Sequence, residues 1–183
     1  MVGGSSVPLG RYFSKIEGCK VLVHGGGKSA TKMATSIGLV PQMIDGRRIT
    51  DAAMLDVVVM IYAGQINKDI VAQLQANETN AMGFSGADGN LIQSEKRNHP
   101  TIDYGFVGDI QDVNTELIGT LLDENIIPVI CAITHDKKGQ LLNTNADSIS
   151  SELINFTVLP DRLFYFLQKG HFSFVEQNDN CTI

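Results

Sequence analysis

The sequence predicts an α/β fold: an open, mostly parallel sheet flanked by helices, with a β-hairpin insertion. Three observations predict it. Short apolar runs that read as strands alternate with segments of helical periodicity. The run from Ile126 to Ile133 is apolar throughout, as in strands buried on both faces. Two further runs, Leu91 to Ser94 and Tyr104 to Asp109, flank the polar stretch Glu95 to Asp103 and read as a local antiparallel pair.

The first strand is Lys20 to His24, and it stops at Gly25-Gly26-Gly27. Ala30, Met33, Ala34 and Ile37 then recur at helical spacing, so the glycines join a strand to a helix that Gly38 ends. Thr50 or Asp51 can cap the next helix. Its apolar face runs through Leu55, Val58, Val59, Tyr62, Ile66, Ile70 and Leu74, and Gly64 interrupts it as a kink or a close-packing point. Asn80 to Phe84 reads as a short strand and Ser85 to Gly89 as a loop in which Asp88 supports the turn. Glu116 to Asp123 reads as a helix. Ile126 to Ile133 is one buried strand, where Pro128 argues for an end or an edge. After a turn at His135 to Gly139 comes Leu141 to Asp147, and then a short helix to about Leu153. Arg162 to Leu167 is a last strand, and beyond Gly170 the chain turns polar and irregular.

A length of 183 residues suits one domain or one and a fraction. With 43% hydrophobic and 19% charged residues the composition is that of a globular protein. A net charge of −6 argues against general binding to nucleic acid or to an anionic membrane surface. No window approaches the roughly 18 apolar residues of a membrane span, and the N-terminus does not read as a secretory signal. Cys19, Cys131 and Cys181 show neither CxxC nor zinc-ligand spacing. Cys19 and Cys131 sit in or beside apolar strand-like runs and read as buried structural thiols, and the expected compartment is a reducing cytoplasm. No metal site is expected.

Four features carry the candidate chemistry. Three glycines at a strand-to-helix turn let backbone amides approach a ligand unobstructed, and the helix start adds partial positive charge. That suits a carboxylate or a phosphate, although a tight turn would also use a glycine. Gly27-Lys28-Ser29 is not a P-loop, because Leu22 occupies the position of the required upstream glycine. Arg47 and Arg48 precede the second helix, and either could grip a carboxylate with its planar fork or stay on the surface. Asn143, Asn145 and Asp147 alternate, so in an extended segment all three share one face. Three such groups together suit a site better than a core network, while Asp147 could instead cap the following helix. The histidines show no metal spacing, and His24 reads as a satisfied strand-end residue. Asp103 and Asp109 read as solvated.

Taken together, VLVHGGG (21–27), GRRITD (46–51), AGQINKDIVAQL (63–74), GFSGADGNLI (83–92), YGFVGD (104–109), IIPVICAI (126–133) and LLNTNADSISSEL (141–153) resemble the amino acid kinase family, and within it the acetylglutamate kinases. The resemblance covers residues 18–155 in order. It implies an N-acylglutamate-binding lobe over residues 1–160 and the start of a nucleotide-binding lobe over 161–183. The implied reaction is transfer of the ATP γ-phosphoryl group to the side-chain carboxylate of N-acetyl- or N-succinylglutamate, a step of arginine biosynthesis. ATP with Mg²⁺ is then the co-substrate and a homodimer the expected assembly. By position, Gly26 and Gly27 would contact the substrate and its phosphoryl-accepting region, Arg48 would hold its α-carboxylate, Asn143 would bind the N-acyl substrate and Asp147 would orient catalytic lysines. Gly25, Asn145 and Arg47 are further candidates, Arg47 for the extra carboxylate of a succinyl group.

The chain also departs from the family pattern. The family's first lysine falls at Met1, two residues before Gly3-Gly4. Its second catalytic lysine and most of its ATP site correspond to sequence beyond Ile183. Two readings therefore stay open. One is an acylglutamate kinase; the other is a non-catalytic acylglutamate-binding or dimerising fragment.

Overall fold

The computed structural model describes residues 13, 15, 18–44, 47–156, 162–168 and 171–175, the last two segments as strands. Its central strand, β1 (Cys19–His24), holds Val21, Leu22 and Val23 with almost no exposure. Alternate residues of a strand face opposite sides, and here both sides are covered. Val21 and Val23 enter one apolar cluster with the helices α1 (Gly27–Ser36) and α2 (Ala52–Val59). Leu22 enters a second cluster with Phe13, Ile70, Leu74, Ala81 and Val129. A continuous apolar run is what such two-sided burial demands.

After β1 and α1 come two short strands, β2 (Met43–Ile44) and β3 (Arg47–Arg48), paired antiparallel. One long helical stretch follows: α2, a π-helical segment over Met60–Ile66, and α3 (Asn67–Gln75). Asp51, not Thr50, caps it, accepting the Met54 amide at 2.8 Å. Gly64 lies in the π-helical segment, and a side chain there would meet open space, so it is no close-packing point. The wider turn resets the phase of the helix. Ile61 and Tyr62 thereby pack with the first cluster, Ile70 and Leu74 with the second, and Ile66 against both.

β4 (Ala81–Phe84), β5 (Ile92–Lys96), β6 (Gly108–Val113), α4 (Thr115–Asp123), β7 (Ile127–Cys131), β8 (Ile133–His135), β9 (Leu141–Asn143), α5 (Ala146–Phe156), β10 (Arg162–Gln168) and β11 (His171–Val175) complete the described chain. The main sheet has the order β11-β10-β1-β7-β4, parallel except for the antiparallel β10–β11 pair. A second sheet, β6-β5-β8-β9, is antiparallel except where β5 meets β8. The expected mostly parallel sheet with a hairpin insertion is present.

Several local expectations change. Ile126 to Ile133 is two strands: β7 belongs to the main sheet and β8 to the second, with Ala132 at the switch. Apolar continuity reports burial and not which sheet buries the residue. Pro128 marks the start of β7 but not an edge, since β7 lies between β1 and β4. The second hairpin strand is Gly108–Val113, because Tyr104 to Phe106 instead bridges to Thr50. Met33 and Ile37 are exposed, and α1 buries only Ala30 and Ala34. A strand, β11, follows Gly170 where irregular chain was expected.

Candidate functional site

The chain leaves β1 at the carboxyl end of the main sheet and turns through Gly25 and Gly26 into α1. From β1 it crosses to β4 and β7 on one side and later returns to β10 on the other. That reversal makes the carboxyl end of β1 the crevice where open α/β sheets bind ligands. Gly26 is the N-cap of α1, and among the described residues no side chain caps it. The first amides of a helix lack intrahelical acceptors and carry the positive end of its dipole. Gly26 also sits hard under the π-helical segment: a β-carbon there would meet the Ile66 Cδ1 atom, and the Tyr62 ring at 2.9 Å.

Arg48 reaches this corner from β3. It is 9% exposed. Its Nη2 donates to the Gly27 carbonyl at 2.9 Å and to Thr31 Oγ1 at 2.7 Å, while Nη1 meets Met54 Sδ at 3.7 Å. The guanidinium thus stands beside the glycine loop with its position fixed by α1 and α2. Burial pushes the neighbouring Tyr62 phenol up, with Arg48 pulling the other way. Arg47 is exposed, and as the adjacent strand residue it leaves the opposite side of β3.

Asn143 closes the other side. It is 9% exposed, and its Nδ2 donates to Thr50 Oγ1 at 2.9 Å. Its own amide donates to the Phe106 carbonyl at 2.8 Å. Thr50 in turn exchanges backbone hydrogen bonds with Tyr104 and Phe106. Gly105 lies against the Thr50 backbone with φ +70°, where a β-carbon would collide with the Thr50 carbonyl oxygen. Residues far apart in sequence are therefore clasped together: Thr50 after β3, Gly105 before β6 and Asn143 at the end of β9.

Asn143, Asn145 and Asp147 do not share an extended face. The strand ends at Asn143 and α5 begins at Ala146. Asn145 caps the helix, its Oδ1 accepting the Asp147 amide at 3.1 Å, so Asp147 sits exposed in the first turn and is not the cap. The turn still brings the segment to the glycine loop, since a β-carbon on Gly25 would lie 3.7 Å from Ala146 Cβ. Gly25 to Gly27, Arg48, Asn143 and the start of α5 thus come to one end of the main sheet. Asp88 accepts from the Ser85 amide and hydroxyl as a turn residue should. Asp109 is not simply solvated, because Arg97 grips it with two nitrogens. Cys131 is buried, and burial pushes its thiol up to about 12, which suits an inert structural cysteine. Cys181, Gly3 and Gly4 lie outside the described residues.

A profile of the amino acid kinase family matches residues 1–153. The chain belongs to that family. An acetylglutamate kinase of Parabacteroides distasonis is 56% identical over 176 residues, which cover 93% of this chain and 68% of the relative. That of Phocaeicola vulgatus is 54% identical over 140 residues, covering 76% of this chain and 54% of the relative. The chain thus spans between about half and two thirds of the length of these curated relatives. Among solved structures, that of smu.665 from Streptococcus mutans UA159 superposes with a TM-score of 0.68 at 24% identity, over 73% of this chain and 54% of that one. At that identity the likeness speaks for the fold. In this amino acid kinase chain the sequence reading had missed four residues that build the corner: Thr50, Tyr62, Asn67 and Gly105. Thr50 was visible only as a candidate cap, Tyr62 only as part of an apolar face, and Asn67 as a polar residue in phase with Ile70 and Leu74 on that stripe.

Proposed function

We propose that this chain binds the N-acylglutamate substrate of an acetylglutamate kinase. The whole reaction is then transfer of the ATP γ-phosphoryl group to the side-chain carboxylate of N-acetylglutamate, within arginine biosynthesis. The observation that carries the reading is the meeting of the Gly25–Gly27 amides, the Arg48 guanidinium and the Asn143 amide at the carboxyl end of β1. Backbone amides at a helix start and an arginine fork suit carboxylates, and an asparagine amide suits an N-acyl group.

The chemistry fits a corner without an acid–base pair. A glutamate side-chain carboxylate, with an ordinary pKa of about 4.3, is already ionised at neutral pH and needs no general base to attack phosphorus. The barrier lies in bringing two anions together, and aimed amides and cations lower it. Gly26 and Gly27 would face the reacting carboxylate, Arg48 the α-carboxylate, Asn143 the acyl carbonyl, and Asp147 would orient lysines. Among the described residues no three His, Cys, Asp or Glu side chains gather to hold a cation. In this reading Mg²⁺ would come with ATP as the co-substrate.

Calorimetry with N-acetylglutamate and no nucleotide tests the binding. Arg48→Lys keeps the charge and loses the fork, and should weaken binding roughly 10–100-fold. Unchanged affinity in that variant would sink the assignment of Arg48. An ATP-turnover assay on the same chain separates a kinase from a module that binds without turnover. Substituting N-succinylglutamate, alone and with Arg47→Ala, tests whether Arg47 serves a succinyl carboxylate. Light scattering after gel filtration tests a homodimer. A cytoplasmic location belongs to the same proposal.

A further inference from the structure

His24 ends β1 and is 1% exposed. Its Nδ1 lies 2.9 Å from the Gly25 carbonyl oxygen. A carbonyl only accepts, so Nδ1 carries the proton. Its Nε2 lies 3.1 Å from Nδ2 of Asn67, which is also 1% exposed and whose Nδ2 donates to the Val129 carbonyl at 2.9 Å. Two N–H groups on one amide nitrogen meet two acceptors, so Nε2 of His24 holds the lone pair and the ring is neutral. Burial agrees, pushing the imidazolium down to about 4. Asn67 Oδ1 then accepts from Lys68 Nζ at 3.2 Å. The donors run one way: Lys68 to Asn67, Asn67 to His24, His24 to the first glycine of the loop. Bonds aligned in this sense strengthen one another, and a buried chain is costly when a member is left unmet.

We infer that His24 and Asn67 are positioning residues for the glycine loop. They hold the Gly25 carbonyl toward the buried histidine, which sets the peptide plane that follows and leaves the Gly26 and Gly27 amides to the ligand. The inference rests on the reading of that loop as the substrate's amide cradle. The π-helical segment is what makes it possible: it presses Tyr62 and Ile66 onto Gly26 and ends just before Asn67, which meets His24.

Two substitutions separate positioning from packing, because they predict opposite orders. His24→Asn retains a donor near the Nδ1 position and removes more volume. His24→Gln retains a partner for Asn67 near the Nε2 position, fills more space and loses the donor to Gly25. Calorimetry with N-acetylglutamate on the full chain should show His24→Gln weakened roughly tenfold and His24→Asn within about threefold of the parent. The amide resonances of Gly26 and Gly27 in the ligand-free chain should shift in His24→Gln and stay near the parent values in His24→Asn. The reverse order in both readouts, with His24→Asn the more perturbed, would show that the ring only fills space and would overturn the inference. If the parent chain does not bind N-acetylglutamate, the substrate reading falls, and the ligand-free resonances alone decide the positioning role by the same order.

Discussion

The two sides of the candidate site are built in opposite ways. The glycine corner comes mainly from neighbours in sequence: β1, the loop and the start of α1 are one continuous segment, to which Arg48, the π-helical segment, Asn67 and the start of α5 are brought. The clasp of Thr50, Gly105 and Asn143 comes from three segments that share no local pattern, joined by isolated backbone bridges and by the Asn143–Thr50 side-chain hydrogen bond. A contiguous motif announces itself through residue types. A clasp announces nothing until the chain is folded, because it depends on close backbone approach and on one side-chain pair between distant segments.

The comparison breaks most directly at Gly105. Gly105→Ala asks an alanine to hold φ +70° with its β-carbon against the Thr50 carbonyl oxygen, and neither backbone can yield cheaply. A loss of about 3 kcal/mol or more is expected in urea unfolding, with N-acetylglutamate binding lost as Asn143 parts from Thr50. A stability within 1 kcal/mol of the parent, or about that, would deny the clasp its part.

A pH series separates the two sides next. The clasp residues Thr50, Gly105 and Asn143 have no titratable side chain, whereas the glycine corner has His24, with Lys68 behind Asn67 and the neutral Cys131 thiol beside it on β7. His24 titrates at about 4 when folded and at 6.5 as a free side chain. As pH falls, the unfolded chain takes up this proton first. The His24 contribution is therefore intact above about pH 6.5 and is lost progressively toward pH 4, about 3 kcal/mol in total. Urea unfolding from pH 7.5 to pH 4 should show that decline, and His24→Asn should remove it. An unchanged slope in the variant would assign the decline to other groups.

Gly26→Ala should cost less than Gly105→Ala, about 1–2 kcal/mol, because its β-carbon meets side-chain atoms of Ile66 and Tyr62 that can shift. N-acetylglutamate affinity should nevertheless fall, since the shift moves the loop itself. Equal losses of stability at the two glycines would erase the distinction between side-chain and backbone crowding. The smallest effect is expected at Asp51, whose carboxylate caps α2 at the exit of the clasp. Asp51→Ala should lose about 1 kcal/mol in urea unfolding and leave ligand affinity near the parent value.

These differences explain what was legible beforehand. The β1 strand, the glycine turn, the long helix and the β4 strand could be read because each is dictated by periodicity or by a residue type with one conformational advantage. Arg48 and Asn143 were singled out for chemistry and do reach the same end of the sheet. The alternation of Asn143, Asn145 and Asp147 was misread as one face because Asn145 ends the extended stretch by capping α5. Ile126 to Ile133 was misread as one strand because burial on all sides looks alike in sequence whether one sheet or two supply it. Met33 and Ile37 fit the helical period yet face outward, since period gives phase and not what lies opposite.

By itself the sequence determined the α/β class and the glycine loop at the end of an apolar strand. Those follow from local forces: propensity, the absence of β-carbons, and the periodicity of burial. Only the tertiary structure decided that Arg48 stands on the glycine loop, that Thr50 is Asn143's partner, and that a buried histidine and asparagine reach the Gly25 carbonyl. Each of these rests on a hydrogen bond between segments at least 21 residues apart, apart from the adjacent His24–Gly25 contact. Such bonds form only where packing has already excluded water, and no local pattern encodes which distant groups will meet there.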